Sequence, residues 1–188
     1  MDNVEFYQDV DLVVTELKEA LSSIDAEQTE RFVQLIFNAQ KVYFIGVGRV
    51  MLALQCFAKR LAHLGFDVHC VGEITEPAIT DRDILIVGSG SGESIIPLNI
   101  ARKAHSLGAR IIHIGSNPNS SMKSISELMV RIPVRTKLQL EDEIASEQPM
   151  TTLFEQTLMI WGDVVALGLI KRKKIDLENL WQLHANLE

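Results

Sequence analysis

Asp83-Ile-Leu-Ile-Val-Gly-Ser-Gly-Ser-Gly-Glu-Ser94 decides how this chain is read. Four consecutive branched apolar residues stop at a glycine, the pattern of a short strand buried on both faces. Three serines alternating with glycines follow, and then an apolar helical period that ends near Gly108. Working outward, Lys41-Val-Tyr-Phe-Ile-Gly46, Val68 to Val71, Arg110-Ile-Ile-His-Ile-Gly115 and Leu128-Met-Val-Arg-Ile132 have the same strand character. Helical patterns lie between them: one runs to about Leu64 and closes at Gly65, and a short one spans Ser120 to Ile125. Strands alternating with helices require right-handed crossovers, hence an α/β fold with a parallel sheet covered on both faces.

The flanks are helical. Residues 4–22 carry Val4, Val10, Val13, Val14, Leu17 and Leu21 at helical spacings, and a second helix runs from about Asp25 to Asn38. After the last strand, residues 133–148 are polar, hold the acid cluster Glu141-Asp142-Glu143, and form a loop long enough to be functional or mobile. A long helix at about 150–172 ends in Lys171-Arg-Lys-Lys174, where cations suit the helix dipole. Asp176 caps a short final helix. A chain of 188 residues is one domain's worth, 1–188, with residues 1–40 as two N-terminal helices and 150–188 as C-terminal helices.

With 47% hydrophobic residues, 11 glycines and two cysteines, the chain is neither disordered, collagen-like nor disulfide-stapled. Its net charge of −7 argues against a nucleic-acid partner, which requires a basic face. All of that charge sits in residues 1–40, where nine acids face Lys18 and Arg31. The other 148 residues hold 16 acids and 16 bases. An anion bound by that neutral body must find local positive potential. Cys56 and Cys70 read as reduced core thiols, and no His/Cys cluster has metal-ligand spacing. The acidic start has no signal-peptide core, and the apolar run Leu158–Ile170 falls short of the ~20 residues of a membrane span. The expectation is a soluble cytoplasmic protein with no membrane partner.

Ligands of open α/β sheets bind at the carboxyl ends of strands. Two junctions qualify. At Ser89-Gly-Ser-Gly-Glu-Ser94, glycines let the backbone approach an anion, unpaired helix N–H groups point at it, and Ser89, Ser91 and Ser94 add neutral donors. Such a loop can hold a phosphate without lysine. It is neither a Walker loop nor a dinucleotide fingerprint. The plain alternative is a tight turn with Ser91 as helix N-cap and Glu93 in the first turn. At Gly46-Val-Gly-Arg-Val50, Arg49 is either a ligand or a surface residue.

In Leu153-Phe-Glu-Gln156, Glu155 is followed by Met159, Gly162 and Ala166 on one helix face. A carboxylate on so closely packed a face would hold its proton more tightly, as a general base requires, although a solvated or ion-paired Glu is the commoner case. His63, His69, His105 and His113 read as structural or surface residues.

Together, Gly46-Val-Gly-Arg49, Phe57-Ala-Lys-Arg-Leu-Ala-His-Leu-Gly65, Val71-Gly-Glu73, Pro77-Ala-Ile79, Ser89 to Ser94, Gln148-Pro-Met150, Leu153-Phe-Glu-Gln156 and His184-Ala-Asn-Leu-Glu188 resemble the 6-phospho-3-hexuloisomerases. These are sugar isomerase (SIS) domain enzymes of the ribulose monophosphate pathway, which fixes formaldehyde. The resemblance runs from about residue 40 to the end. It implies a three-layer αβα sandwich with a five-stranded parallel sheet, flavodoxin-like in order. It further implies a homotetramer with active sites shared between subunits. The implied reaction interconverts D-arabino-3-hexulose 6-phosphate and fructose 6-phosphate through a cis-enediolate, without metal or organic cofactor. The resemblance makes Glu155 the proton-abstracting base and His184 its helper, reaching a neighbouring site. Gly48, Arg49, Val50, Ser89, Gly90, Ser91, Gly92, Glu93 and Ser94 become the substrate-binding residues.

Four positions depart from the family pattern, one of them Lys59, where Met is usual. Val50 stands where a serine is usual, and the Gly-Glu-Thr-Thr-Thr-Pro segment is Gly72-Glu-Ile-Thr-Glu-Pro77 here. An apolar Ile74 and an acid at Glu76 near a phosphosugar would alter which sugar is accepted. The open alternatives are an isomerase for another phosphosugar and a non-catalytic sugar-phosphate-sensing module.

Overall fold

The computed structural model describes residues 2–187. Five strands, β1 (Val42–Ile45), β2 (Val68–Cys70), β3 (Ile84–Gly88), β4 (Arg110–Gly115) and β5 (Leu128–Arg131), form one sheet in the order β2-β1-β3-β4-β5. Every pairing is parallel, with Phe44 opposite Cys70 and Ile86, and Ile86 opposite Ile112. The helices are α1 (Asn3–Ser22), α2 (Ala26–Asn38), α3 (Gly48–His63), α4 (Ile95–Ser106) and α5 (Thr152–Lys173). Two 3-10 helices cover Ser121–Ser124 and Leu177–Leu183.

Strand alternation divides the core. Val42, Phe44, Ile84, Ile86, Ile112 and Ile114 face α2, α3 and α5, whereas Tyr43, Ile45, Leu85, Val87 and Ile111 face α4. From β1 the chain crosses to β2 on one side, and from β3 it crosses to β4 on the other. Right-handed crossovers in opposite directions place α3 and α4 on opposite faces. The crevice this opens lies at the carboxyl ends of β1 and β3, where ligands of such sheets sit.

α5 is 22 residues long and, taken whole, long and apolar enough to span a bilayer, which corrects the reading from its uninterrupted apolar run. Half of its most apolar window is buried in the fold, with Leu153, Phe154, Leu158, Trp161, Val165 and Leu169 in the core. Its terminal cations are engaged: Lys173 donates to the Leu64 carbonyl and lies over the Phe66 ring, while Arg172 pairs with Glu30. The segment expected as a final helix is the 3-10 turn Leu177–Leu183, with Asp176 accepting from the Glu178 amide.

Candidate functional site

A cleft of about 990 Å³ opens at the β1/β3 crevice. It is lined by Val47 to Val50, Gly88 to Ser91, Ser94, Phe154 and Glu155, and across from them by residues of the 132–151 connection. Three helices begin there: α3 after Val47, α4 after Ser94 and α5 after Thr151. None of the three has a side-chain N-cap hydrogen bond, whereas the outer helices α1 and α2 are capped by Asp2 and Asp25. An uncapped first turn presents N–H donors and the positive end of the dipole to whatever occupies the cleft. In α4 these donors are Ile95 and Ile96, because Pro97 has none.

The serine loop is held from behind. The Ser89 carbonyl accepts from His113 Nε2 at 2.9 Å, and the Gly90 carbonyl accepts from the Ser116 amide at 2.8 Å. The Asn117 side chain donates to the Ser91 carbonyl. With these carbonyls turned toward β4, the loop faces the cleft with hydroxyls and amides. Burial pushes the His113 imidazole down, so it stays neutral with a single proton to donate. Ser89 and Ser91 are buried, and Ser89 Oγ lies 3.3 Å from Ser94 Oγ.

Three loop residues do otherwise than the sequence suggested. The helix begins after Ser94, so Ser91 is not its cap; Ser91 Oγ accepts from the Glu93 amide instead. Glu93 lies outside the helix and away from the cleft, accepting from the Ser121 amide at 2.6 Å and the Ser121 hydroxyl at 2.8 Å. Those bonds hold its carboxyl below the usual range. Gly92 does not line the cleft either; its φ of 67° makes the turn, and its amide donates to Ser89. Gly92 and Glu93 shape the loop from outside the cleft lining.

Glu155, in the first turn of α5, is 9% exposed at the base of the cleft. The expected burial is there, but the carboxylate is not isolated. Arg49 Nε donates to Oε2, and Thr151 Oγ1 donates to Oε1 at 2.8 Å. Gly162 and Ala166 on its face are buried as the spacing suggested, whereas Met159 is partly exposed. Arg49 is thus brought against Glu155, and Val50 lines the cleft with no hydroxyl to offer.

His184 lies elsewhere. Its ring stacks on His63 with centroids 5.1 Å apart and lines a separate pocket of about 220 Å³ with Arg60 and Trp181. His63 ends α3 and Arg49 begins it, a separation of about 20 Å along the helix axis. Glu188, the last residue of that C-terminal motif, is outside the described residues. Ile74 is fully exposed, and Glu76 turns back onto the Gly72 amide at 2.5 Å. Neither lines the cleft, which corrects the expectation that they bear on the sugar within this chain.

Sequence reasoning missed the far wall. Arg135, Thr136, Lys137, Gln139 and residues 146–151 line it. The acid cluster builds it: Glu143 accepts from the Thr136 amide and hydroxyl and from the Leu140 amide, and Asp142 pairs with Arg131. The cleft therefore has three cations near it, Arg49, Arg135 and Lys137, and is not the lysine-free cradle that the loop alone suggested.

A five-stranded parallel sheet with a serine-rich loop at its switch point defines a class, and the comparisons agree with it. The SIS domain family matches residues 35–162, and the chain belongs to that family. Several relatives over nearly the whole length are named 3-hexulose-6-phosphate isomerase. A 3-hexulose-6-phosphate isomerase of Bacillus subtilis is 37% identical across 94% of this chain and 95% of its own. A second, of Mycobacterium gastri, is 36% identical across 94% and 88%. A solved structure of a Methanococcus jannaschii protein, described as inferring a molecular function of 3-hexulose-6-phosphate isomerase, superposes with a TM-score of 0.82. It is 31% identical and covers 96% of this chain and 99% of that one.

Proposed function

We propose that this chain is a phosphosugar isomerase that interconverts D-arabino-3-hexulose 6-phosphate and fructose 6-phosphate. The observation that carries the reading is the convergence of three uncapped helix N-termini on one cleft that holds a buried carboxylate, Glu155. The Ser89–Ser94 loop and the first amides of α4 suit a phosphate dianion. Held there, remote from the reacting carbons, the phosphate supplies binding energy that fixes orientation.

Moving a carbonyl from C3 to C2 removes the C2 proton, passes through a cis-enediolate, protonates C3 and transfers the hydroxyl proton from O2 to O3. In this reading Glu155 takes and returns that proton, Thr151 orients its carboxylate, and Arg49 faces the charge that develops on the enediolate oxygens. As the family resemblance implies, the reading assigns the reaction no metal or organic cofactor. In this reading His184 acts in a neighbouring subunit's cleft, since its own lies a helix length away. Exposed apolar residues on α1 (Val4, Phe6, Tyr7, Val10, Val14) and at the C-terminal turn (Trp181, Leu183) support association with further copies, here proposed as a homotetramer. The proposed setting is cytoplasmic, within the ribulose monophosphate pathway.

The test is turnover of purified protein with 3-hexulose 6-phosphate, set against arabinose 5-phosphate and fructose 6-phosphate. Glu155→Gln preserves shape and removes the base; its kcat is expected to fall by about 10²–10⁴. Survival of turnover within a few-fold rejects Glu155 as the base. Binding without turnover in the unaltered protein leaves the sensing module.

A further inference from the structure

α1 is the most exposed of the five α-helices, and among its described side chains only Glu16 and Ala20 are buried. A buried carboxylate on an otherwise solvated helix is costly unless every lone pair is used. Glu16 uses them on one short segment. Its Oε2 accepts from Ser146 Oγ at 2.6 Å and Gln148 Nε2 at 2.9 Å, and its Oε1 accepts from the Glu147 amide at 2.7 Å. Burial by itself would raise the Glu16 carboxyl, but these three bonds outweigh it and hold the group below the usual range. Ser146, Glu147 and Gln148 all line the cleft, and the chain then runs through Pro149 and Met150 to Thr151, the hydroxyl on Glu155. Met150 makes that turn with φ 57°, a conformation that must be held from outside. The matched SIS residues begin at 35, so this anchor comes from a helix outside them.

We propose that Glu16 is a positioning residue for the cleft, its ionised carboxylate acting as the three-way clamp that fixes residues 146–148 as the far wall of the substrate site. This rests on the isomerase reading of the same cleft. The clamp acts on binding before chemistry, because the clamped residues face the ligand and Glu155 keeps its own partners Arg49 and Thr151.

The experiment is Glu16→Gln, which keeps the size of the side chain but turns an acceptor into a donor facing donors. KM for 3-hexulose 6-phosphate is expected to rise about ten-fold or more with kcat within about three-fold. Hydrogen exchange at the Glu147 and Gln148 amides is expected to quicken while that of the β1 and β3 amides does not change. A residue that merely stabilises the fold would lower the active fraction, and so apparent kcat, at unchanged KM. An unchanged KM therefore overturns the proposal, whatever happens to kcat. If Glu16→Gln does not fold, exchange in the unaltered protein decides: a Glu147 amide protected like the sheet supports the clamp, and one exchanging like an open loop overturns it. Exchange is measured without substrate. An unaltered protein inactive on hexulose phosphate would sink the isomerase reading and leave the clamp to be judged on exchange.

Discussion

Gly92→Ala puts the serine loop under a direct test. Gly92 has φ 67°, a region in which a side chain costs about 1–2 kcal/mol. A Cβ there would also overlap the Oγ and Cβ of buried Ser120 and come to 3.1 Å from His113 Cε1. Ser120 Cβ sits on the backbone and cannot swing away, so either the loop or the Ser121–Ser124 turn must move, at about 1–3 kcal/mol. The sum is about 2–5 kcal/mol. For a chain of this length that is a fall in Tm of roughly 5–15 °C. Gly92 also donates its amide to Ser89, so a displaced turn opens the donors facing the cleft. Losing one such bond to a dianion is worth about 1.5–3 kcal/mol, a rise of roughly ten- to a hundred-fold in KM. The matched control is Gly168→Ala in α5. A Cβ there meets nothing within 4 Å, so the change is expected to stabilise by about 0.5–1 kcal/mol and leave KM alone. Thermal unfolding and initial rates with 3-hexulose 6-phosphate measure both. A Gly92→Ala protein that melts within about 2 °C of the unaltered one, with the same KM, would refute the reasoning.

Ser89→Ala combined with Ser91→Ala removes two buried hydroxyls from the loop and is expected to raise KM and weaken inhibition by inorganic phosphate; titrating both into the assay checks it, and an unchanged KM rejects the loop as the phosphate site. Asp83 is wholly buried, and burial would raise its carboxyl, but hydrogen bonds from Thr80 and Lys41 and the Lys41 charge hold it low. Its folded pKa thus lies below the unfolded value of about 3.9, so its contribution to stability is full above that pH and is lost as pH falls through the lowered value. Asp83→Asn is expected to cost about 1.5–3 kcal/mol at pH 7, a gap that closes in denaturant titrations below about pH 4. A gap independent of pH would assign the loss to packing rather than to charge.

The central strands were legible because parallel strands buried on both faces leave apolar runs, and β1 and β3 stop where the chain turns into the crevice. Their order follows from the two crossovers. What escaped reading depends on partners far away in sequence. Glu93 looked like first-turn decoration of α4, yet Ser121, 28 residues on, takes both its oxygens. The far wall has no period to detect: it is polar, and Glu16 reaches it across 130 residues. Its one sequence signal was length together with the cluster Glu141-Asp142-Glu143, two of whose members prove to be ties of that wall. Glu155 was found by the small residues beneath it, while its pairing with Arg49 joins two loops 106 residues apart.

Receiving a dianion on a chain of net charge −7 is less paradoxical than the total suggests. Acids of the surrounding scaffold are occupied by donors: Glu16 by 146–148, Glu143 by Thr136 and Leu140, Glu93 by Ser121 and Asp142 by Arg131; of the cleft-lining acids Glu147 and Glu155, Glu155 is paired with Arg49. Each is thereby fixed in place, with its field offset by the dipoles pointing at it. No side chain caps the first turns of α3, α4 and α5, although in α5 the Thr152 amide donates to the Pro149 carbonyl. Arg49 supplies positive charge on one wall and Arg135 and Lys137 supply it on the other. Over a Debye length of about 8 Å, the field of the acidic N-terminal helices is screened at the exposed surface, whereas partly buried groups inside the cleft are screened much less. The sign that a ligand meets is therefore set by which helix ends lack caps. A capping aspartate grafted at the start of α4 would change it more than any charge placed on the outer face of α1.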